Sequence, residues 1–230
     1  MSIYDNLSMI NDRISHAVQK AGREDEVKLI AVSKTVDVQT VNEAIRLGVK
    51  RIGENRVQEL IGKYDKLLPV EKHLIGQLQS NKVKYIAGKV TLIHSLDRMS
   101  LVLELSRMAK LQAITIDALV QINIGCEYAK GGVLESDLMP FLDKLQAVEG
   151  VRVKGLMVIP PISHGDEVRE YFARVYALAQ AAKARGFASM SFDELSMGMS
   201  SDFEEAILEG ATYVRIGTAL FGNRIYNDKT

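Results

Sequence analysis

The chain has 230 residues, 47% of them hydrophobic, which is enough for one sizeable core. Lysine plus arginine and aspartate plus glutamate each number 29, so the formal net charge is zero. This balance disfavours nucleic-acid binding, which needs a basic excess gathered on one face. We expect no membrane-spanning helix, because no stretch approaches about 20 consecutive apolar residues. The single cysteine, Cys126, fits a reducing compartment, so we expect a cytoplasmic protein.

The N-terminal segment, residues 1–22, has the pattern of an amphipathic helix. Its apolar residues recur every three or four positions, with polar residues between them, and Gly22 follows the last of them. A targeting signal would have an uninterrupted apolar segment instead. We therefore predict a helix that packs on the rest of a single domain spanning residues 1–230.

Short apolar runs alternate with helical patterns along the remaining chain. Buried parallel strands have such runs, and we predict eight: 27–34, 51–54, 71–76, 90–96, 118–124, 151–159, 193–199 and 213–217. Stripes of helical period begin at Val38, Val57, Leu138 and Val168. Eight β-α units in this length predict an α/β fold, a (β/α)8 TIM barrel with short loops. A doubly wound open sheet is the alternative.

Polar residues cluster where the predicted strands end, which in a barrel is the face that carries the chemistry. Lys34 ends the first strand, in the sequence AVSKT. An apolar barrel mouth would reduce the hydration of this amine and disfavour its charged form. A neutral amine can attack an aldehyde, so Lys34 is a candidate for Schiff-base formation.

The last two predicted strands continue into sequences that suit a phosphate group. SMGMSSDFEEA follows the seventh strand, where Ser201 and Glu204 have the spacing of a capping box. VRIGTALFG carries Gly217 and Thr218 after the eighth strand, and phosphate commonly binds after these two strands of a barrel. Arg215 alternates with apolar residues there, which predicts either a structural ion pair or a donor to a ligand.

Together these motifs resemble the YggS/PROSC family of pyridoxal phosphate (PLP) homeostasis proteins. The resemblance spans nearly the whole chain, in the expected order, and rests on AVSK, GEN at 53–55, HLIGQLQSNK at 73–82, GLM at 155–157, SMGMSSD and VRIGTALFG. It implies a barrel related to the barrel domain of alanine racemase. It also implies that PLP is the cofactor and that no catalytic turnover is established.

The resemblance also assigns residues to the cofactor site. Lys34 would form the internal aldimine, Asn55 would lie beside the ring, and Arg215 would lie near the pyridine nitrogen. The remaining implied contacts are Ser200, Gly217 and Thr218 with the phosphate, and Ser196 and Met157 with the pocket wall. An arginine at the ring nitrogen keeps that nitrogen unprotonated, so the ring is a poor electron sink.

Two other functions stay open at this point. The first is a PLP-dependent amino-acid racemase or decarboxylase, and the second is a lysine-dependent aldolase or isomerase of a phosphorylated sugar. PLP-dependent apoenzymes are the partners that a carrier would supply, and we expect a monomer. The four histidines have no metal-ligand spacing, and Lys130 and Tyr226 receive no role.

Overall fold

The computed structural model describes residues 2–126 and 131–222, and a closed parallel barrel forms its centre. The strands are β1 (Lys28–Val32), β2 (Arg51–Glu54), β3 (Glu71–Leu74), β4 (Leu92–Leu96), β5 (Ile116–Asn123), β6 (Val133–Leu134), β7 (Val151–Val158), β8 (Met190–Ser196) and β9 (Tyr213–Ile216). All but β6 form a ring in chain order, which closes because β9 pairs with β1. The predicted TIM barrel is therefore confirmed, and the open-sheet alternative is wrong.

The eight predicted strands correspond to the eight strands of the ring. The largest difference is at β8, which begins at Met190 and ends at Ser196, three residues earlier at each end than predicted. The additional two-residue strand β6 pairs with the end of β5 and was not predicted.

Helices follow the strands and cover the outside of the barrel. They are α1 (Ile3–Lys20), α2 (Val38–Arg46), α3 (Val57–Tyr64), α4 (Val83–Ile86), α5 (Met99–Gln112), α6 (Leu138–Leu145), α7 (Asp166–Arg185), α8 (Phe203–Leu208) and α9 (Thr218–Phe221). The four stripes of helical period predicted from the sequence correspond to α2, α3, α6 and α7, whereas α4 and α5 were not predicted. Among the described residues, no helix is long and apolar enough to cross a membrane.

The N-terminal helix α1 packs against α8 and α9. The side-chain amide of Asn6 donates to the carbonyl of Leu220 at 2.9 Å, and Arg13 forms an ion pair with Glu204 at 2.7 Å. Gly22 adopts φ +65° just after the helix ends, as expected for a residue that terminates a helix.

The predicted capping box at the start of α8 is wrong. Asp202 precedes the helix without a side-chain capping bond, and the carboxylate of Glu204 is engaged by Arg13 of α1. The tertiary ion pair therefore takes the carboxylate that the local motif would have used.

Apolar packing occurs in two places. The larger core lies between the strands and the surrounding helices, and the smaller one fills the barrel with Ile30, Leu92, Leu119, Met157 and Tyr213. The barrel interior also contains buried polar side chains, among them His73, His94 and Ser196.

Candidate functional site

A cavity of about 530 Å³ opens at the carboxyl ends of the barrel strands. Six of the eight predicted site residues line it: Lys34, Asn55, Ser200, Arg215, Gly217 and Thr218. They come from the ends of four consecutive strands of the ring, in the order β2, β1, β9 and β8. Barrel closure therefore brings together residues that are up to 184 positions apart, Lys34 and Thr218.

Lys34 is half-buried and lies in the turn that follows β1. Both of its neighbours are held by side chains of α3. The ammonium of Lys63 donates to the carbonyl of Ser33 at 2.8 Å, and the backbone N–H of Thr35 donates to Glu59 at 2.5 Å. Thr35 has φ +62°, a conformation that a β-branched residue rarely adopts. The α3 side chains thus fix the backbone on either side of the candidate amine.

Glu54, which ends β2, turns away from the cavity toward α3. Its Oε1 accepts hydrogen bonds from Lys63 and from the hydroxyl of Ser33, both at 2.8 Å. Burial raises the pKa of Glu54, while Lys63 opposes that increase. The polar position predicted at the end of this strand is therefore part of the support beneath Lys34, and Asn55 is the residue that reaches the cavity.

Arg215 of β9 is a buried cation that lines the cavity. It is 4% exposed, donates from Nη1 to the hydroxyl of Ser196 at 2.7 Å, and donates from Nη2 to the carbonyl of Val158 at 2.8 Å. Burial lowers the pKa of Arg215 to about 10. No carboxylate in residues 2–126 and 131–222 forms an ion pair with it. Because the guanidinium has five N–H bonds, others can donate to a ligand.

The loops after β8 and β9 supply hydroxyl groups to one end of the cavity. The backbone N–H of Ala219 donates to Ser200 Oγ at 3.4 Å, and Thr218 is exposed beside it. The first loop requires Gly198, which has φ +90°, and a Cβ there would lie 2.6 Å from Ala206 Cβ. This close packing brings Ser200 next to the turn at Gly217, as a phosphate site requires.

The other two predicted residues lie below the cavity instead of lining it. Met157 is fully buried in the apolar interior of the barrel, and Ser196 is fully buried with its hydroxyl against Arg215. Lys130 and Tyr226 lie outside the described residues.

The cavity also contains a residue that the sequence reasoning missed. Gln121 of β5 lines it and donates to the carbonyl of Gly131 at 3.0 Å. The alternation of Leu119, Gln121 and Asn123 along β5 was the available signal, since alternate residues of a strand face the same side.

Comparison with known proteins shows the family to which this chain belongs. The family model described as "Alanine racemase, N-terminal domain" matches residues 6–224. A "Pyridoxal phosphate homeostasis protein" of Aquifex aeolicus is 45% identical over 98% of this chain and 100% of that protein. One of Pseudomonas aeruginosa is 39% identical over 98% and 97%. The chain belongs to this family, the YggS/PROSC family of pyridoxal phosphate homeostasis proteins, as its motifs predicted.

A solved structure shares the same barrel. PipY of Synechococcus elongatus, with PLP bound, matches with a TM-score of 0.83 and 34% identity. The match covers 96% of this chain and 100% of PipY.

Proposed function

We propose that this chain binds PLP in the cavity through a Schiff base on Lys34 and acts in PLP homeostasis without catalytic turnover. The observation that carries the proposal is that Lys34, Arg215 and the hydroxyls of Ser200 and Thr218 line one cavity. The names of the relatives and the PLP-bound structure of PipY support it. All of residues 1–230 would form the one PLP-binding domain.

The lining fits the chemical groups of this cofactor. The cavity volume lies within the range of about 300–1,000 Å³ that is typical of small-molecule sites. PLP supplies an aldehyde, which condenses with a primary amine and releases one water molecule. Ser200, Gly217 and Thr218 would hold the phosphate, and Arg215 would donate to the opposite end of the ring.

The cavity lining also bears on turnover. Lys34 and Arg215 are the titratable side chains among the described residues that line it, and the other polar ones are amides and hydroxyls. A guanidinium gives up its proton reluctantly and so keeps a ring nitrogen that it faces unprotonated. Such a lining suits retention of the cofactor better than proton transfer to an amino acid.

Borohydride reduction followed by mass spectrometry tests the binding proposal. Protein loaded with PLP and then reduced should carry one pyridoxyl adduct, and peptide mapping should place it on Lys34. Lys34→Ala should lose the adduct and the absorbance band of the Schiff base, while Lys144→Ala, which changes an exposed lysine of α6, should keep both. An equal adduct in Lys34→Ala would refute the proposal, and a trapped sugar would favour the aldolase alternative.

A second experiment tests the absence of turnover. PLP-loaded protein is incubated with α-deuterated amino acids, and we expect the label to be retained. Loss of label that depends on Lys34 would identify a racemase-like enzyme instead. Transfer of PLP to apoenzymes, the monomeric state and the cytoplasmic location stay predictions.

A further inference from the structure

A chain of buried hydrogen bonds crosses the barrel below the cavity. From Arg215 on β9 it passes to Ser196 on β8 at 2.7 Å, then to His94 on β4 and His73 on β3, at 2.9 Å each. Three of these residues are 0% exposed and Arg215 is 4% exposed. The chain ends near the base of the barrel, where His73 Nε2 lies 3.6 Å from the carboxylate of Glu71.

The hydrogen bonds of this chain can run in two directions, and the tautomers of the two histidines decide between them. Arg215 can only donate, so Ser196 Oγ accepts from it. If the hydroxyl then donates to His94 Nδ1, His94 must carry its proton on Nε2 and donate to His73 Nδ1. His73 in turn carries its proton on Nε2, which faces the carboxylate of Glu71.

The opposite direction is unfavourable at both ends. Ser196 Oγ would accept from both Arg215 and His94, so its own proton would have no acceptor among the described residues. At the other end, the unprotonated Nε2 of His73 would face the negative carboxylate of Glu71. Each direction leaves one buried donor without a hydrogen-bond partner among the described residues, either the hydroxyl of Ser196 or the Nε2–H of His73. The carboxylate of Glu71 attracts a protonated Nε2 and repels an unprotonated one, so the direction away from Arg215 is preferred.

The surroundings keep both imidazoles neutral. Burial lowers the pKa of His73 to about 4 and that of His94 well below its usual value. Arg215 adds repulsion at His94 and Arg51 does so at His73, whereas Glu71 and Glu194 oppose the decrease at His73. The ring of Tyr213 contacts both imidazoles edge-on, with centroids 5.5 and 5.8 Å away.

We propose that Ser196, His94 and His73 are positioning residues, which hold Arg215 toward the ligand through a one-way chain of neutral groups. This inference rests on the proposed function, because the ligand that Arg215 faces is PLP. Arg215 lacks a carboxylate partner among the described residues, and the hydroxyl of Ser196 takes that place. No carboxylate among the described residues therefore neutralises the guanidinium, and its hydrogen bonds to Ser196 and to the carbonyl of Val158 fix the orientation of its plane.

Nitrogen-15 NMR of the full-length, PLP-loaded protein tests the direction of the chain. We expect His73 and His94 to show protonated Nε2 and unprotonated Nδ1, unchanged between pH 6 and pH 8. The solvent-exposed rings of His16 and His164 provide the reference in the same spectra. Protonated Nδ1 at His94, or a positive charge on either buried ring in this range, would overturn the proposal.

A substitution tests the positioning role. Ser196→Ala should speed PLP release about 10-fold, equivalent to about 1.4 kcal/mol. Ser106→Ala is the control and should leave the rate of PLP release unchanged. It also removes a buried hydroxyl, but this hydroxyl belongs to α5, outside the barrel, and donates to the carbonyl of Glu149. Release at the wild-type rate from Ser196→Ala would refute the positioning role.

The two proposals fail in distinguishable ways. If Ser196→Ala still forms the borohydride adduct on Lys34 but releases PLP faster, both proposals are supported. If the wild-type protein forms no adduct, the proposed function fails, whatever the histidine spectra show. If Ser196→Ala does not fold, the spectra of the wild-type protein still decide the direction of the chain.

Discussion

Replacement of Lys63 by methionine tests the support beneath Lys34. Its ammonium contacts Glu54 at 2.8 Å, Glu59 at 2.7 Å and the carbonyl of Ser33 at 2.8 Å. Glu54 is completely buried, and its Oε2 has no hydrogen-bond partner among the described residues. Lys63→Met keeps most of the side-chain volume but leaves this carboxylate without its cation.

We expect Lys63→Met to reduce the free energy of unfolding by about 3–5 kcal/mol, the usual cost of breaking a buried ion pair. Urea unfolding followed by circular dichroism measures it. With a denaturant slope of about 3 kcal/mol per molar, the midpoint should fall by about 1 M or more. Lys144→Met, at an exposed position of α6, should change the free energy by less than about 0.5 kcal/mol.

The loss should depend on pH. Because burial raises the pKa of Glu54, its contribution to stability is greatest at acidic pH and declines as the pH rises through the folded-state pKa. Lys63 lowers the pKa of Glu54, so its removal extends that decline to higher pH. Lys63→Met should therefore lose more stability at pH 8 than at pH 5.

A double variant tests whether the uncompensated charge causes the loss. Glu54→Gln combined with Lys63→Met leaves no charge at this buried position, so most of the lost free energy should return. A loss below about 1 kcal/mol in Lys63→Met would refute the reasoning. So would a double variant no more stable than Lys63→Met alone.

Three backbone substitutions give further predictions. Thr35→Gly should stabilise the protein by about 1 kcal/mol in thermal unfolding, because glycine relieves the strain at φ +62°; a lower melting temperature would contradict this. Gly198→Ala should destabilise it by about 2 kcal/mol or more and weaken PLP binding measured by absorbance, because the new methyl group lies 2.6 Å from Ala206 Cβ. Gly62→Ala, in open space on α3, is the control and should stabilise the protein by about 0.5–1 kcal/mol in the same melts; equal behaviour of the two alanine variants would refute the packing argument.

The limits of sequence reasoning are visible at β8. The strand was predicted at 193–199, so residues 190–192 were missed and residues 197–199 were included although the strand ends at Ser196. Two of its residues, Asp193 and Glu194, are of types that are uncommon in strands. In the folded protein Asp193 pairs with Lys183 of α7, and Glu194 pairs with Lys28 of β1 inside the barrel. Lys28 is 166 positions from Glu194, so no local pattern indicated that the charge of Glu194 is compensated.

The position of a residue at the end of a predicted strand was enough to place part of the candidate site. Lys34, Asn55 and Arg215 follow or end apolar strands, and the closed barrel presents those ends at one face. Strand position could not distinguish Glu54, which turns toward α3, from Asn55, which reaches the cavity. That choice depends on the alternation of the strand and on Lys63 as the partner.

The sequence by itself determined the eight strands, most of the helices and the residues at the strand ends, because hydrophobic periodicity depends on residues close together in the chain. Only the tertiary structure decided that His73 meets His94 and that Ser196 meets Arg215. Ser196 and His94 are 102 positions apart and come into contact only because the barrel closes. Hydrogen bonds across a barrel interior depend on that closure, and no local pattern encodes them.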